Sequence, residues 1–265
     1  MLQDRGWQVE ALDNLSTGDA ANVPLGVKLH VGDIQSDSDI RAVMRAAAFD
    51  AVVHCAAQTS VERSMKDPEL DHAVNVLGTR SLAAAARQAG VGRFVFLSSG
   101  GAIYGETDEP ADERAPLVPL NCYGLNKLMA ENEVQEAGIS YCILRLSNVY
   151  GPGQRSDPEG GVVAIFRERL LCGKPLEIHC GGEQVRDFVY VTDVAAAVVA
   201  AAPPARVSSL LRDSRRDSLR DRREREAQPI DEWERRAPEA GGQERGGAQK
   251  RAAHIACAPG VVTDL

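Results

Sequence analysis

The sequence predicts an α/β fold: a doubly wound parallel sheet, followed by a smaller second region. Three observations carry that expectation. Strand-like and helix-like segments alternate through four units up to residue 127, the order that parallel strands joined by crossover helices require. AVVHCAA (51–57) and RFVFLSS (93–99) are continuous apolar runs, as expected of strands covered on both faces. WQVEALDN (7–14) alternates and then ends in Asp13-Asn14, a strand that delivers a carboxylate to a loop.

Bulk properties narrow the class. The chain has 265 residues, 44% of them apolar, ample for a core. No apolar run is long and uncharged enough to span a bilayer, and MLQDRGWQVE has no apolar signal core, so a cytoplasmic protein is expected. The six cysteines, at 55, 122, 142, 172, 180 and 257, show no Cys-x-x-Cys pair and imply no metal. Residues 1–205 carry 17 basic and 27 acidic side chains, a net of −10. Such an acidic body is a poor match for nucleic acid. Residues 206–265 carry 13 basic and 11 acidic, a net of +2.

Taken in order, VKLHVGDI (27–34) is the second strand, ending in Asp33-Ile34, and a helix follows over 37–47 with Ile40, Val43, Met44 and Ala47 on one face. His54 lies inside the apolar run 51–57 and is expected to be packed there, not to act as a base. DHAVNVLGTRSLAAAARQAG (71–90) reads as an amphipathic helix ended by Gly90. GISYCILRLSNVYGPGQ (138–154) reads as one long strand with a proline-glycine exit.

The most informative stretch lies between Arg93 and Lys127. A buried strand ends in Ser98-Ser99-Gly100-Gly101, and NCYGLNK then opens a helix carrying Tyr123 and Lys127. Four residues apart on a helix, these two share a face. A phenol with a pKa near 10 is a poor base at neutral pH, and a neighbouring ammonium favours its ionised form. The pair suits a group that moves a hydroxyl proton while a hydride leaves the same carbon.

With RFVFLSSGGAIYGE, NCYGLNK, LDNLSTG and, further on, VRDFVYVTDVA, the chain resembles the extended short-chain dehydrogenase/reductase family, in particular its NAD-dependent nucleotide-sugar epimerases and dehydratases of the UDP-glucose 4-epimerase kind. The resemblance covers roughly residues 1–202. It implies a Rossmann-type domain over 1–150 with 186–202 returning to it, and a partial substrate domain over 151–185. It implies NAD as cofactor, favoured over NADP because Asp13 repels a 2′-phosphate. Asp13 and Asn14 would then meet the adenosine ribose, Asp33 and Ile34 flank the adenine, and Ala56, Ala57 and Gln58 pass along the cofactor. Asn75 would shape the nicotinamide side. Tyr123 would be the acid–base group, with Lys127 lowering its pKa and bonding the nicotinamide ribose. Asn148 would contact the nucleotide of a nucleotide-diphosphate sugar, and Arg186 would offer its fork to the diphosphate. Asp193 would cap the following helix or anchor its loop. Family members pair as homodimers through the helix after Asn75 and the Tyr123 helix.

The sequence departs from the family pattern in three places. The first strand and its glycine-rich turn are expected about 20 residues before Asp13, where this chain has no residues. Gly100 stands where the family commonly has the Ser or Thr that bonds the reacting hydroxyl, leaving Ser99 as its stand-in. After Ala202 the text turns Arg-rich, with twelve Arg and one Lys over 206–251 and no Phe or Tyr. This tail is expected to be disordered and out-of-frame translation. The implied activity is a nucleotide-sugar 4-epimerase of the UDP-glucose/UDP-galactose type. Gly101 and Ala102 offer no acid to expel a hydroxyl, which sets epimerase ahead of dehydratase. A dehydratase or reductase on the same scaffold is the alternative, as is a non-catalytic remnant, which the three departures favour.

Overall fold

The computed structural model describes residues 1–107, 109–157, 160–178, 180–182, 184–202 and 256–257. The expectations for the Arg-rich tail lie outside these residues, apart from 256–257. Strands β1 (Glu10–Asp13) and β2 (Lys28–Val31) pair in parallel, and helix α1 (Asp37–Ala46) follows, its amino end capped by Ser36. Next come β3 (Ala51–His54), α2 (Val61–Lys66), α3 (Pro68–His72), a π-helical stretch Ala73–Gly78, and α4 (Thr79–Gln88). Strand β4 (Arg93–Ser99) leads into the short turn α5 (Gly100–Ile103), and α6 (Cys122–Glu136) carries the chain back to β5 (Tyr141–Leu146).

β3, β4 and β5 run in parallel in that order, and Ala256–Cys257 (β8 in chain order) adds an antiparallel bridge to β5. β6 (Asn148–Tyr150) leaves this sheet and pairs in parallel with β7 (Phe188–Tyr190). Helix α7 (Val162–Leu171) lies between them in sequence, and α8 (Val191–Ala201) follows β7.

The side-chain alternation of β4 places Phe94 and Phe96 on one face and Val95 on the other. Phe94 and Phe96 pack with Ile40 of α1, Leu82, Ala83 and Ala86 of α4, and Ala130 and Val134 of α6. Val95 packs with Leu144, Leu146, Val189, Val194 and Val198, so α8 covers the opposite face. Both faces of the sheet are therefore buried, as the continuous apolar runs require. Among the described residues, β1 bonds to β2 and β3 to β4, and the two pieces of sheet are joined through α1 packed on α4.

Three elements differ from the sequence reading. The helix expected over 71–90 is α3, a π-helical stretch and α4 in succession, still ended by Gly90 at φ 75°. The strand expected over 138–154 breaks at Ser147, because β5 bonds to β4 whereas β6 bonds to β7. Asp193 lies inside the first turn of α8, and Tyr190 occupies the cap position without a side-chain bond. Its charge there favours the positive end of the helix.

Candidate functional site

Two groups of side chains gather at the carboxyl ends of the parallel strands, the place where open α/β sheets bind ligands. At the ends of β1 and β2, Asn14 Nδ2 donates to Asp33 Oδ2 at 2.8 Å, and Leu15 N donates to Asp13 Oδ1 at 2.7 Å. That turn places Leu15 at φ 56°, a left-handed conformation a leucine seldom adopts and a form of strain often found at binding sites. Burial opposes ionisation of Asp33, but bonds from Asn14 and Gln35 outweigh it and hold the carboxyl below its usual range. Asp13, Asn14 and Asp33 thus form one acidic edge, exposed at Asp13 and Asn14 and half-buried at Asp33. Ile34 is buried against Gly78 of the π-helical stretch, so close that a Cβ there would fall 2.9 Å from Ile34 Cδ1.

The second group surrounds the end of β4. Gln58 and Asn75 are bound to each other: Gln58 N donates to Asn75 Oδ1 at 3.1 Å, and Asn75 Nδ2 donates to Gln58 O at 2.9 Å. Asn75 is buried within the π-helical stretch, a distortion that recurs at functional sites. Ala56 and Ala57 lie just before Gln58, at least partly exposed, in the loop that follows β3. Tyr123 sits in the first turn of α6, whose amino end Asn121 caps by accepting from Gly124 N at 2.9 Å. Ser99 at the end of β4 acts on its hydroxyl and favours the ionised form.

Lys127, one turn on, is buried; its Nζ donates to Leu97 O at 2.8 Å and lies 4.3 Å from the centre of the Phe96 ring. Burial pushes its ammonium down to about 8, against Glu131, Cys55 and Asp71. Tyr123 goes the other way from the sequence argument. Burial pushes its hydroxyl up and Asp71 adds to that, while Ser99 pulls it down. Lys127 is turned toward the strand, so the expected depression of the phenol does not appear.

Several polar groups escaped the sequence reading. Glu131 is fully buried, accepts from Ser98 Oγ at 2.5 Å, and pairs with Arg145 of β5 at 2.7 Å; Arg145 in turn donates to Tyr104 Oη at 2.9 Å. Asp71, also fully buried, accepts from Gln58, Asn75 and Asn126. The available signal was spacing: Glu131 is one turn beyond Lys127, and Asp71 one turn before Asn75. His54 is neutral and packed, as expected: burial takes it down to about 3, and its ring stacks on Phe96 at 5.3 Å.

The remaining two candidates lie apart from these groups. Asn148 is exposed at the start of β6, with its side chain and its backbone N both donating to Asp187 O. Arg186 is exposed next to it in sequence terms and donates to Val185 O and Gln184 Oε1 of its own loop. The structure thus brings Asn148 to the segment that carries Arg186.

The family model for the NAD dependent epimerase/dehydratase family matches residues 1–208. The chain belongs to that family. A UDP-glucose 4-epimerase of Mycolicibacterium smegmatis is 39% identical over 210 residues, covering 76% of this chain and 67% of that protein. Among solved structures, the Thermus thermophilus UDP-glucose 4-epimerase in complex with NAD is 42% identical with a TM-score of 0.71, covering 76% of this chain and 68% of that one. The Thermotoga maritima UDP-glucose 4-epimerase with UDP-glucose is 37% identical with a TM-score of 0.71, covering 75% and 66%. The chain spans about two thirds of the length of these relatives.

The two groups differ in chemistry. The edge at Asp13 and Asp33 offers carboxylate acceptors, and the Gln58–Asn75 pair with Tyr123 and Lys127 offers amides, a hydroxyl and an ammonium. Gly18 lies against the acidic edge: a Cβ there would fall 3.0 Å from Asp13 Oδ1, so a side chain at this position would make that carboxylate give by a few tenths of an ångström.

Proposed function

We propose that this chain carries the NAD-binding and acid–base part of a nucleotide-sugar 4-epimerase of the UDP-glucose/UDP-galactose type. The observation that carries the reading is Tyr123 in the first turn of α6, one helical turn from buried Lys127, which bonds β4 at Leu97 O. Bound NAD supplies a hydride acceptor and donor for the sugar carbon. Tyr123 takes the proton from the sugar C4 hydroxyl and later returns it, with Ser99 passing or steadying that proton. Burial pushes the Tyr123 hydroxyl above its usual range, so it works as a base only where added positive charge lowers its pKa. Lys127 is placed to provide part of that charge by turning from Leu97 O toward the site. Asp13, Asn14, Asp33 and Ile34 hold the adenosine end; Ala56, Ala57, Gln58 and Asn75 hold the nicotinamide end. Asn148 and Arg186 bind the nucleotide and diphosphate of the substrate. Gly101 and Ala102 in α5 supply no acid, which favours epimerisation over dehydration. No described helix is long and apolar enough to cross a membrane, and the reading is of a cytoplasmic enzyme. It pairs as a homodimer across the helices that follow Asn75 and carry Tyr123, where Leu77 and Leu125 are 43% and 49% exposed.

The test is to titrate the full chain with NAD and then follow interconversion of UDP-glucose and UDP-galactose. NAD uptake with turnover is expected, with Tyr123→Phe slower by about 10²–10⁴-fold. A chain that takes up no NAD would be the non-catalytic protein instead.

A further inference from the structure

We propose that Asp71 is a positioning residue of the nicotinamide side of the site, fastening Gln58, Asn75 and Asn126 together and placing a buried carboxylate beside the turn of α6 that carries Tyr123. The proposal rests on the reading of Tyr123 as the acid–base group.

Asp71 lies in the last turn of α3 and is fully buried. Its Oδ1 accepts from Gln58 Nε2 at 2.6 Å and from Asn75 Nδ2 at 3.0 Å, and its Oδ2 accepts from Asn126 Nδ2 at 2.6 Å. One carboxylate thus joins three elements: the loop after β3, the π-helical stretch and α6. Gln58 is held further by its own bonds to Ser60 O and Ser60 N, at 2.8 and 2.6 Å. Asn126 stands between Tyr123 and Lys127 on α6, so the clamp reaches the turn that aims both.

An aspartate carboxylate only accepts, and all three neighbours donate to it. All three are neutral amides, so they solvate the charge without cancelling it. Buried acids without a cation in direct contact are uncommon, and such a charge acts across its surroundings. Burial is the largest influence on both Tyr123 and Lys127, raising the first and lowering the second, and this charge adds a smaller push toward their protonated forms. Other charged groups on the elements around Tyr123 are placed differently. Glu62, Arg63, Lys66 and Glu69 are exposed. His72 is bonded to Asn126, Arg80 is paired with Glu133, and Arg145 with Glu131. Lys127 on its own helix bonds Leu97 O. Asp71 therefore adds to the burial that keeps Tyr123 a phenol, and holds Gln58 and Asn75 in place.

Two variants separate charge from fastening. Asp71→Asn keeps an acceptor for Gln58 and Asn75, and the Asn126 amide can rotate to accept from the new donor; Asp71→Ala removes both charge and acceptor. Tyrosinate absorbance is titrated in the full chain and in each variant, with and without Tyr123→Phe, so that the difference isolates Tyr123. Circular dichroism confirms that the fold persists over the range. Both variants are expected to lower the Tyr123 midpoint by about half a pH unit or more. Asp71→Ala is expected to weaken NAD binding about tenfold, and Asp71→Asn less. Should one variant not fold, the other decides. An unmoved Tyr123 midpoint in a folded variant overturns the proposal, as does unchanged NAD affinity in Asp71→Ala. The absorbance titration needs no cofactor, so a parent chain that binds no NAD sinks the functional reading and still leaves Asp71 decided.

Discussion

Buried titratable side chains set how this fold responds to pH. His54 Nε2 lies 2.8 Å from Thr79 Oγ1, and Thr79 gives its proton to Asn75 O at 2.7 Å. His54 Nε2 is therefore the donor, and the ring is neutral. Its folded value of about 3 lies below the ordinary 6.5, so between these pH values the unfolded chain binds a proton that the folded chain does not. Stability is complete above pH 6.5 and falls by at most about 1.4 kcal/mol per pH unit below it. Urea unfolding of His54→Leu is expected to show a shallower loss between pH 6.5 and 4 than the parent. Lys127 carries a cost of the same sign, in a higher pH window. Its folded value of about 8 lies below 10.5, so below pH 8 the fold carries a buried ammonium. That penalty is full below pH 8 and fades as pH approaches 10.5. Lys127→Met is expected to stabilise the chain at pH 7 by up to about 3 kcal/mol, with the gain vanishing near pH 10.5. A stabilising change that abolishes turnover is the signature of a group kept for function.

At the scale of elements, α6 explains why its inward face escaped a periodicity argument. The side chains it buries include Asn126, Lys127 and Glu131 beside Ala130 and Val134, so an apolar stripe is missing although the helix is packed on the sheet. The Glu131–Arg145 pair fastens α6 to β5, with Ser98 of β4 as a third member. Removing one partner leaves a buried charge. Glu131→Ala is expected to cost about 3–5 kcal/mol in denaturant unfolding, and a Glu131→Met, Arg145→Met double variant to recover most of it. A double variant as unstable as the single one would show that the pair itself stabilises the fold. The caps, by contrast, follow local chemistry: Ser36, Ser60, Asp67 with Pro68, and Asn121 each open a helix.

For the whole molecule, ligand binding is the cooperative readout. A ligand that binds the folded chain at a hundred times its dissociation constant adds about 2.7 kcal/mol. NAD at that level is expected to raise the melting temperature. Arg186 is exposed in the loop before β7, away from the Tyr123 group in the chain. Arg186→Ala is therefore expected to leave the NAD-induced shift intact while weakening UDP binding by about tenfold. Loss of both effects together would show that Arg186 supports the fold rather than the substrate.

Local chemistry is what the sequence by itself determined. The alternation of strands and helices follows from residue patterns within one element, as does the Tyr123–Lys127 spacing. The same holds for the carboxylates Asp13 and Asp33 at strand ends, and strand 93–99 was read to its observed bounds. The tertiary structure alone decided which way those groups face. Lys127 turns to Leu97 O because burial leaves its ammonium in need of an oxygen. The long strand breaks at Ser147 because its two halves bond to different partners. Asp71 acquires its amides from positions 13 residues before it, 4 after it and 55 after it. Contacts over such separations depend on the packing of α3 and α6 against the sheet, and no local pattern encodes them.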